Sequence, residues 1–186
     1  MADAQRLFTV TRWLLKAATI FCAFISVVLA LAFIAVVLAL GALLVMPSLL
    51  AVFSIPLSVE GVPLLTILAA ALFLVAGGLI GTVMIFFAIR ATGGIVDTAI
   101  AGDPFISDNA ERLKRIGWLL LGIMVVQFLS ATMVVAIAPD NNIAGHIEPG
   151  EGGPTLTGLL AVLLIFVLAR IFRHGTEMRA DLEGTV

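Results

Sequence analysis

RATGGIVDTAIAGDPFISDNAERLKR, residues 90–115, is the one long polar interruption in an otherwise apolar chain. It carries Asp97, Asp103, Asp108, Glu111, Arg112, Lys114 and Arg115, and it is flanked on both sides by uncharged runs long enough to cross a bilayer. Glycine costs a helix interior roughly 1 kcal/mol relative to alanine, so Gly93-Gly94 predicts a break in the preceding helix. Ile95, Val96, Ala99 and Ile100 follow at helical spacing, which suits a short amphipathic turn on the membrane surface. Gly102-Asp103-Pro104-Phe105 reads as a turn, because the residue before proline is pushed away from helical angles. Asp108 with Glu111 at capping-box spacing, or Ser107 as an equally good cap, predicts a new helix from about Asn109.

Outward from this stretch the chain is almost wholly apolar. Of its 186 residues 62% are hydrophobic and 12% charged, with a mean hydropathy of +1.23. A water-soluble domain is about 45–50% apolar and about 25% charged, so lipid must be the solvent for much of this surface. Residues 17–46 hold no charge over a length of about 45 Å as helix, against a hydrocarbon core of roughly 30 Å, which requires tilt, protrusion or a bend near Gly41. That run is too long for a signal-peptide core and reads as a retained helix, with Trp13 as an interfacial anchor. The expected fold is all-α: a four-helix transmembrane bundle in one domain, 1–186. Its spans fall at 17–46, 63–89, 116–138 and 155–172, its inner loop at 90–115, and its outer loops at 47–62 and 139–154. The last span is short, so Arg170 is expected to snorkel to the interface.

The ten cations fix an orientation. Arg6, Arg12, Lys16, Arg90, Arg112, Lys114, Arg115, Arg170, Arg173 and Arg179 all fall on one side, while the opposite loops hold only Glu60, Asp140, Glu148 and Glu151. The positive-inside rule places both termini and the 90–115 loop in the cytoplasm, as in a multi-pass protein of a bacterial inner membrane.

The first three spans contain no charged residue, which argues against a proton-coupled transporter, an ion pump or an intramembrane protease. Gln127 lies in mid-span with Ser130 and Thr132 nearby. A mid-bilayer amide needs a partner, so Gln127 either packs helices together or, with Ser130 and Thr82, lines a pocket. Gly77, Gly78 and Gly81, with residues 69–71 all alanine, form a small-residue patch suited to close helix packing or to a seam between copies of the chain. His146, Glu148, Glu151 and Asp140 have ligand chemistry for a divalent cation, but an acidic outer loop is what the orientation alone requires. No metal site is expected. His174 reads as a solvated interfacial residue and Cys22, the single cysteine, as a small apolar side chain. No phosphate-binding glycine loop, paired-cysteine metal motif or hydrolase elbow is present, and neither cofactor, catalytic residue nor direct nucleic-acid binding is expected. The cationic side is expected to attract anionic membrane lipids.

Gly102-Asp103-Pro104-Phe105, Asn109, Leu113 and Ile116-Gly117, followed by Ile171-Phe172-Arg173-His174-Gly175, Met178, Asp181-Leu182 and Thr185-Val186, resemble a bacterial family of four-helix inner-membrane proteins, domain of unknown function 2975. The resemblance implies both termini inside and, from the small helix-turn-helix regulators that often accompany such genes, control of a cytoplasmic transcription factor at the membrane. Loop and tail share a compartment, so residues 103–109 are expected to cap residues 172–181. Asp103, Pro104, Phe105, Asn109, Arg112, Arg173, Gly175 and Asp181 are then the candidate surface for a protein partner. The functional expectation is a non-enzymatic membrane regulator or scaffold. The alternatives are a binder or carrier of a lipid-like molecule, using Thr82, Gln127 and Ser130, and an accessory subunit of a larger complex or of a homo-oligomer.

Overall fold

The computed structural model of the chain describes residues 2–45, 58–59, 62–137 and 153–183. Four helices carry the fold: α1, Ala2–Val45; α2, Leu64–Ile100; α3, Ser107–Ile137; and α4, Leu156–Glu183. All four are long and apolar enough to cross a membrane. Before α2, Ser58–Val59 (β1) pairs antiparallel with Val62–Pro63 (β2), where the end of an outer loop and the first residue of the second span were expected.

The helices overrun the expected spans, most of all around the polar stretch. Gly93-Gly94 does not break α2, which continues through it to Ile100. The reason is tertiary: Arg112 of α3 lies against Gly94 and donates to its carbonyl oxygen at 2.9 Å. A Cβ at Gly94 would come within 2.9 Å of that guanidinium, whereas one at Gly93 would meet nothing within 4 Å. Gly94 is therefore a seat for an arginine, and residues 95–100 are the last turns of α2 instead of a separate surface turn.

The true end of α2 is a Schellman cap. Gly102 has φ +88°, its N–H donates to Ala99 O at 3.2 Å, and the Asp103 N–H donates to Thr98 O at 3.1 Å. Only glycine takes that backbone without strain. Pro104 bars any continuation, and α3 starts at Ser107, two residues before the expected point. What was expected as a 26-residue loop reduces to residues 101–106. α1 passes Gly41 unbroken, and α4 starts where Thr155 caps it, its hydroxyl accepting the Gly158 N–H at 3.0 Å.

The chain divides into two compact units, each drawing on several helices. One comprises residues 1–24, 83–123 and 154–186; the other comprises 25–82 and 124–153. In the first, Ala88, Ala110, Leu113, Ile116, Ile123, Val162 and Ala169 are buried; in the second, Ala70 and Val134. Most large apolar side chains, such as Phe21, Phe24, Leu31 and Leu164, are exposed. That inversion belongs to a protein solvated by lipid, where packing of small residues replaces hydrophobic burial as the force between helices.

Candidate functional site

The site lies in the first unit, where the α2–α3 turn meets the C-terminal half of α4. Its base is a polar clasp built on Asn109, which is fully buried. The Asn109 amide nitrogen donates to Thr98 Oγ1 at 2.6 Å and to Pro104 O at 2.9 Å. Its Oδ1 accepts from Arg112 Nη1 at 2.9 Å, the same nitrogen that reaches Gly94 O. Thr98 in turn donates to Ile95 O at 2.8 Å. A buried amide is stable only when its donors and acceptor are used, and here they are. The clasp fixes the 101–106 turn against the first turn of α3.

From that base the turn projects Phe105 onto α4. Its ring stacks on Phe172 with centroids 5.1 Å apart and rests on Gly175, where a Cβ would come within 3.0 Å of the ring. Two ion pairs brace the contact: Arg173 donates to Glu111 at 2.7 Å, and Arg179 pairs with Asp103. Arg12 of α1 pairs with Asp97 of α2 at 2.9 Å. All these charges are about half exposed, so each pair contributes under about 1 kcal/mol and sets geometry more than stability.

Turn and helix together enclose an open cleft of about 950 Å³, with Pro104, Phe105, Ile171 and Met178 as its apolar lining. Arg170, Arg173, Arg179 and His174 face it with Asp103 and Glu177. Asp103 is engaged by Arg179, Arg173 by Glu111, and His174 Nδ1 lies 3.6 Å from Glu177. Arg170 meets no carboxylate among the described residues, so it is the charge left open to a ligand. The cleft thus offers exposed apolar anchors beside an uncommitted guanidinium.

The expected loop–tail surface is brought together only in part. Asp103, Pro104, Phe105, Arg173 and Gly175 meet there. Asn109 and Arg112 stand behind it: the first is sealed, and the second is half-buried, so both position the turn and do not form surface. Asp181 is exposed but outside the cleft lining. In the second unit Thr82, Gln127 and Ser130 build no shared polar pocket. The hydroxyls of Thr82 and Ser130 donate to Gly78 O and Val126 O of their own helices, and Gln127 is exposed where helix packing was one expectation. Asp140, His146, Glu148 and Glu151 lie outside the described residues, among which no group of three or more His, Cys, Asp and Glu is placed to hold a metal.

Sequence reading missed Thr98 and Gly94 as partners of the clasp, Glu111 as the anchor of Arg173, and Arg170 as the open charge. The first was within reach. Asn109 begins a buried stripe through Ala110, Leu113, Ile116 and Gly117, and a polar residue on an apolar stripe predicts a buried hydrogen bond. The Glu111–Arg173 pair joins residues 62 positions apart and leaves no local signal.

Four membrane-spanning helices and a site made of turn and tail define a multi-pass, all-α membrane protein. The chain belongs to the family described as Protein of unknown function (DUF2975), whose model matches residues 58–186. Comparison with curated proteins and with solved structures gives no match.

Proposed function

We propose that this is a non-enzymatic membrane protein that presents the turn–tail cleft to a soluble protein partner in the cytoplasm. The observation that carries the reading is the cleft itself, where Phe105, Ile171 and Met178 are 43%, 56% and 52% exposed beside the uncommitted Arg170. A short amphipathic segment with an apolar anchor and a carboxylate complements that lining, as in helix-in-groove recognition. The cytoplasmic placement rests on the ten-to-none division of cations and puts both termini inside. A small helix-turn-helix regulator is the partner implied by the sequence resemblance, with the membrane protein holding or releasing it. The bacterial inner membrane is the proposed location. Self-association or membership of a larger complex has a separate support, the exposed amide of Gln127 in mid-span.

The test is site-specific photocrosslinking in native membranes from Met178, with Leu38 on lipid-exposed α1 as the control position. A single protein adduct from Met178 and none from Leu38 is expected, lost on Phe105→Ala or Arg173→Gln. Arg173→Gln should keep its helicity, since the exposed Arg173–Glu111 pair contributes under about 1 kcal/mol, and Phe105 lies outside all four helices. Adducts with lipid alone, or a protein adduct indifferent to both substitutions, would overturn the reading.

A further inference from the structure

A second groove in the first unit, between α2 and α3, has a different chemistry from the cleft. It measures about 390 Å³ and is lined by Arg90, Arg112, Arg115, Phe87, Ala91 and Leu119. Three guanidinium groups line it and no carboxylate does. Arg90 and Arg115 meet no carboxylate among the described residues. Arg112 is held in place by Asn109 and Gly94 through one nitrogen, Nη1, so its position is fixed before any ligand arrives. Arg90 lies over the Phe86 ring, 5.9 Å from its centroid, which leaves its charge unneutralised. Guanidinium forks match phosphate oxygens in geometry as well as charge, and arginines without a carboxylate on two neighbouring helices call for an anion.

The apolar part of the lining says which anion. Arg90 ends the uncharged run 63–89 and Arg115 immediately precedes the uncharged run that opens at Ile116. Both cations therefore lie at head-group depth, while Phe87 and Leu119 lie about one turn further into the apolar runs, at acyl-chain depth. A soluble phosphate would use the arginines and leave that apolar floor uncovered. We infer that this groove is a binding site for one anionic phospholipid, its phosphate held by Arg90, Arg112 and Arg115 and an acyl chain laid over Phe87 and Leu119. The groove shares Arg112 with the clasp behind the turn–tail cleft, but none of its lining residues faces that cleft and its assignment rests on no protein partner there.

The experiment is native mass spectrometry of the full chain released from nanodiscs containing phosphatidylglycerol and phosphatidylcholine. The wild type should retain one phosphatidylglycerol in preference to phosphatidylcholine. Arg90→Gln/Arg115→Gln should weaken that adduct on the order of 100-fold, the loss of two charge-assisted hydrogen bonds to the phosphate. Arg12→Gln/Lys16→Gln removes the same charge from α1, outside the lining of this groove and of the turn–tail cleft, and should weaken the adduct far less than the first pair does. Equal losses from both pairs would mean diffuse attraction to the cationic side, and no loss from the first would mean the groove is not the site; either overturns the inference. Arg90→Lys/Arg115→Lys preserves the charge, guards against misfolding of the glutamine pair, and should still lose several-fold because the fork is gone. Full displacement of the lipid by inorganic phosphate alone would identify a soluble anion as the ligand and overturn the assignment to lipid.

Discussion

Asn109 and Ser130 both sit on α3 and both meet α2, yet the two contacts are made by opposite means. At Asn109, in the first unit, a buried amide reaches Thr98 and Pro104 and accepts from an arginine. At Ser130, in the second, the hydroxyl donates to Val126 O of its own helix, and the contact with α2 is steric: a Cβ on Gly77 would stand 2.0 Å from Ser130 Oγ and 2.8 Å from its Cβ. Gly78 against Leu29 of α1 repeats the pattern more loosely. The Asn109 contact is specified by paired polar groups, the Ser130 contact by the absence of a side chain on Gly77. The first kind of contact builds a defined surface; the second only brings helices close.

The largest effect should follow from opening the clasp. Asn109→Ala leaves the Arg112 guanidinium with Gly94 O alone and strips Thr98 Oγ1 and Pro104 O of their donor. A loss of about 2–4 kcal/mol is expected, since a broken buried network forfeits more than one neutral hydrogen bond. Denaturant unfolding in detergent followed by circular dichroism measures it. Ser130→Ala, which removes only a bond within one helix, should lose less than about 1 kcal/mol. Equal losses at the two positions would erase the distinction.

Overpacking should come next. Gly77→Ala forces a methyl group into Ser130, and because Ser130 Cβ also lies inside the contact, turning the hydroxyl away is not enough. A loss of about 1–3 kcal/mol is expected, and Gly77→Ala/Ser130→Gly should recover most of it. A double variant no more stable than Gly77→Ala would show that the two backbones are not held together at this point.

These contrasts also explain what could be read in advance. Four spans follow from long apolar runs, because hydrocarbon admits almost nothing else, and the turn at Gly102-Asp103-Pro104 follows from rules acting within four residues. Phe105 and Gly175 were recognisable as a distinctive pair of segments. Their stacking depends on how α3 and α4 pack. Gln127 misled because a mid-span amide announces a need for a partner without saying whether the partner lies inside the chain. Asn109 and Arg112 misled in the other direction. Polar residues next to a turn read as surface, and only the arrival of Gly94 and Thr98 from α2 turns them into interior.

The smallest effect is also the most diagnostic, because its sign reverses between adjacent residues. Gly93 faces open space, so Gly93→Ala should stabilise α2 by up to about 1 kcal/mol through helix propensity alone. Gly94→Ala gains the same propensity but displaces the Arg112 guanidinium from a hydrogen bond to a charged donor, worth about 1.5–3 kcal/mol, for a net loss near 1 kcal/mol. Thermal midpoints of the two variants in one detergent should therefore move in opposite directions. If both rise, Arg112 has room to stand away from Gly94, and the clasp reduces to Asn109 with Thr98 and Pro104. If both fall, the Gly93-Gly94 pair is needed for a backbone that α2 adopts only with two glycines, and the seat for arginine is incidental.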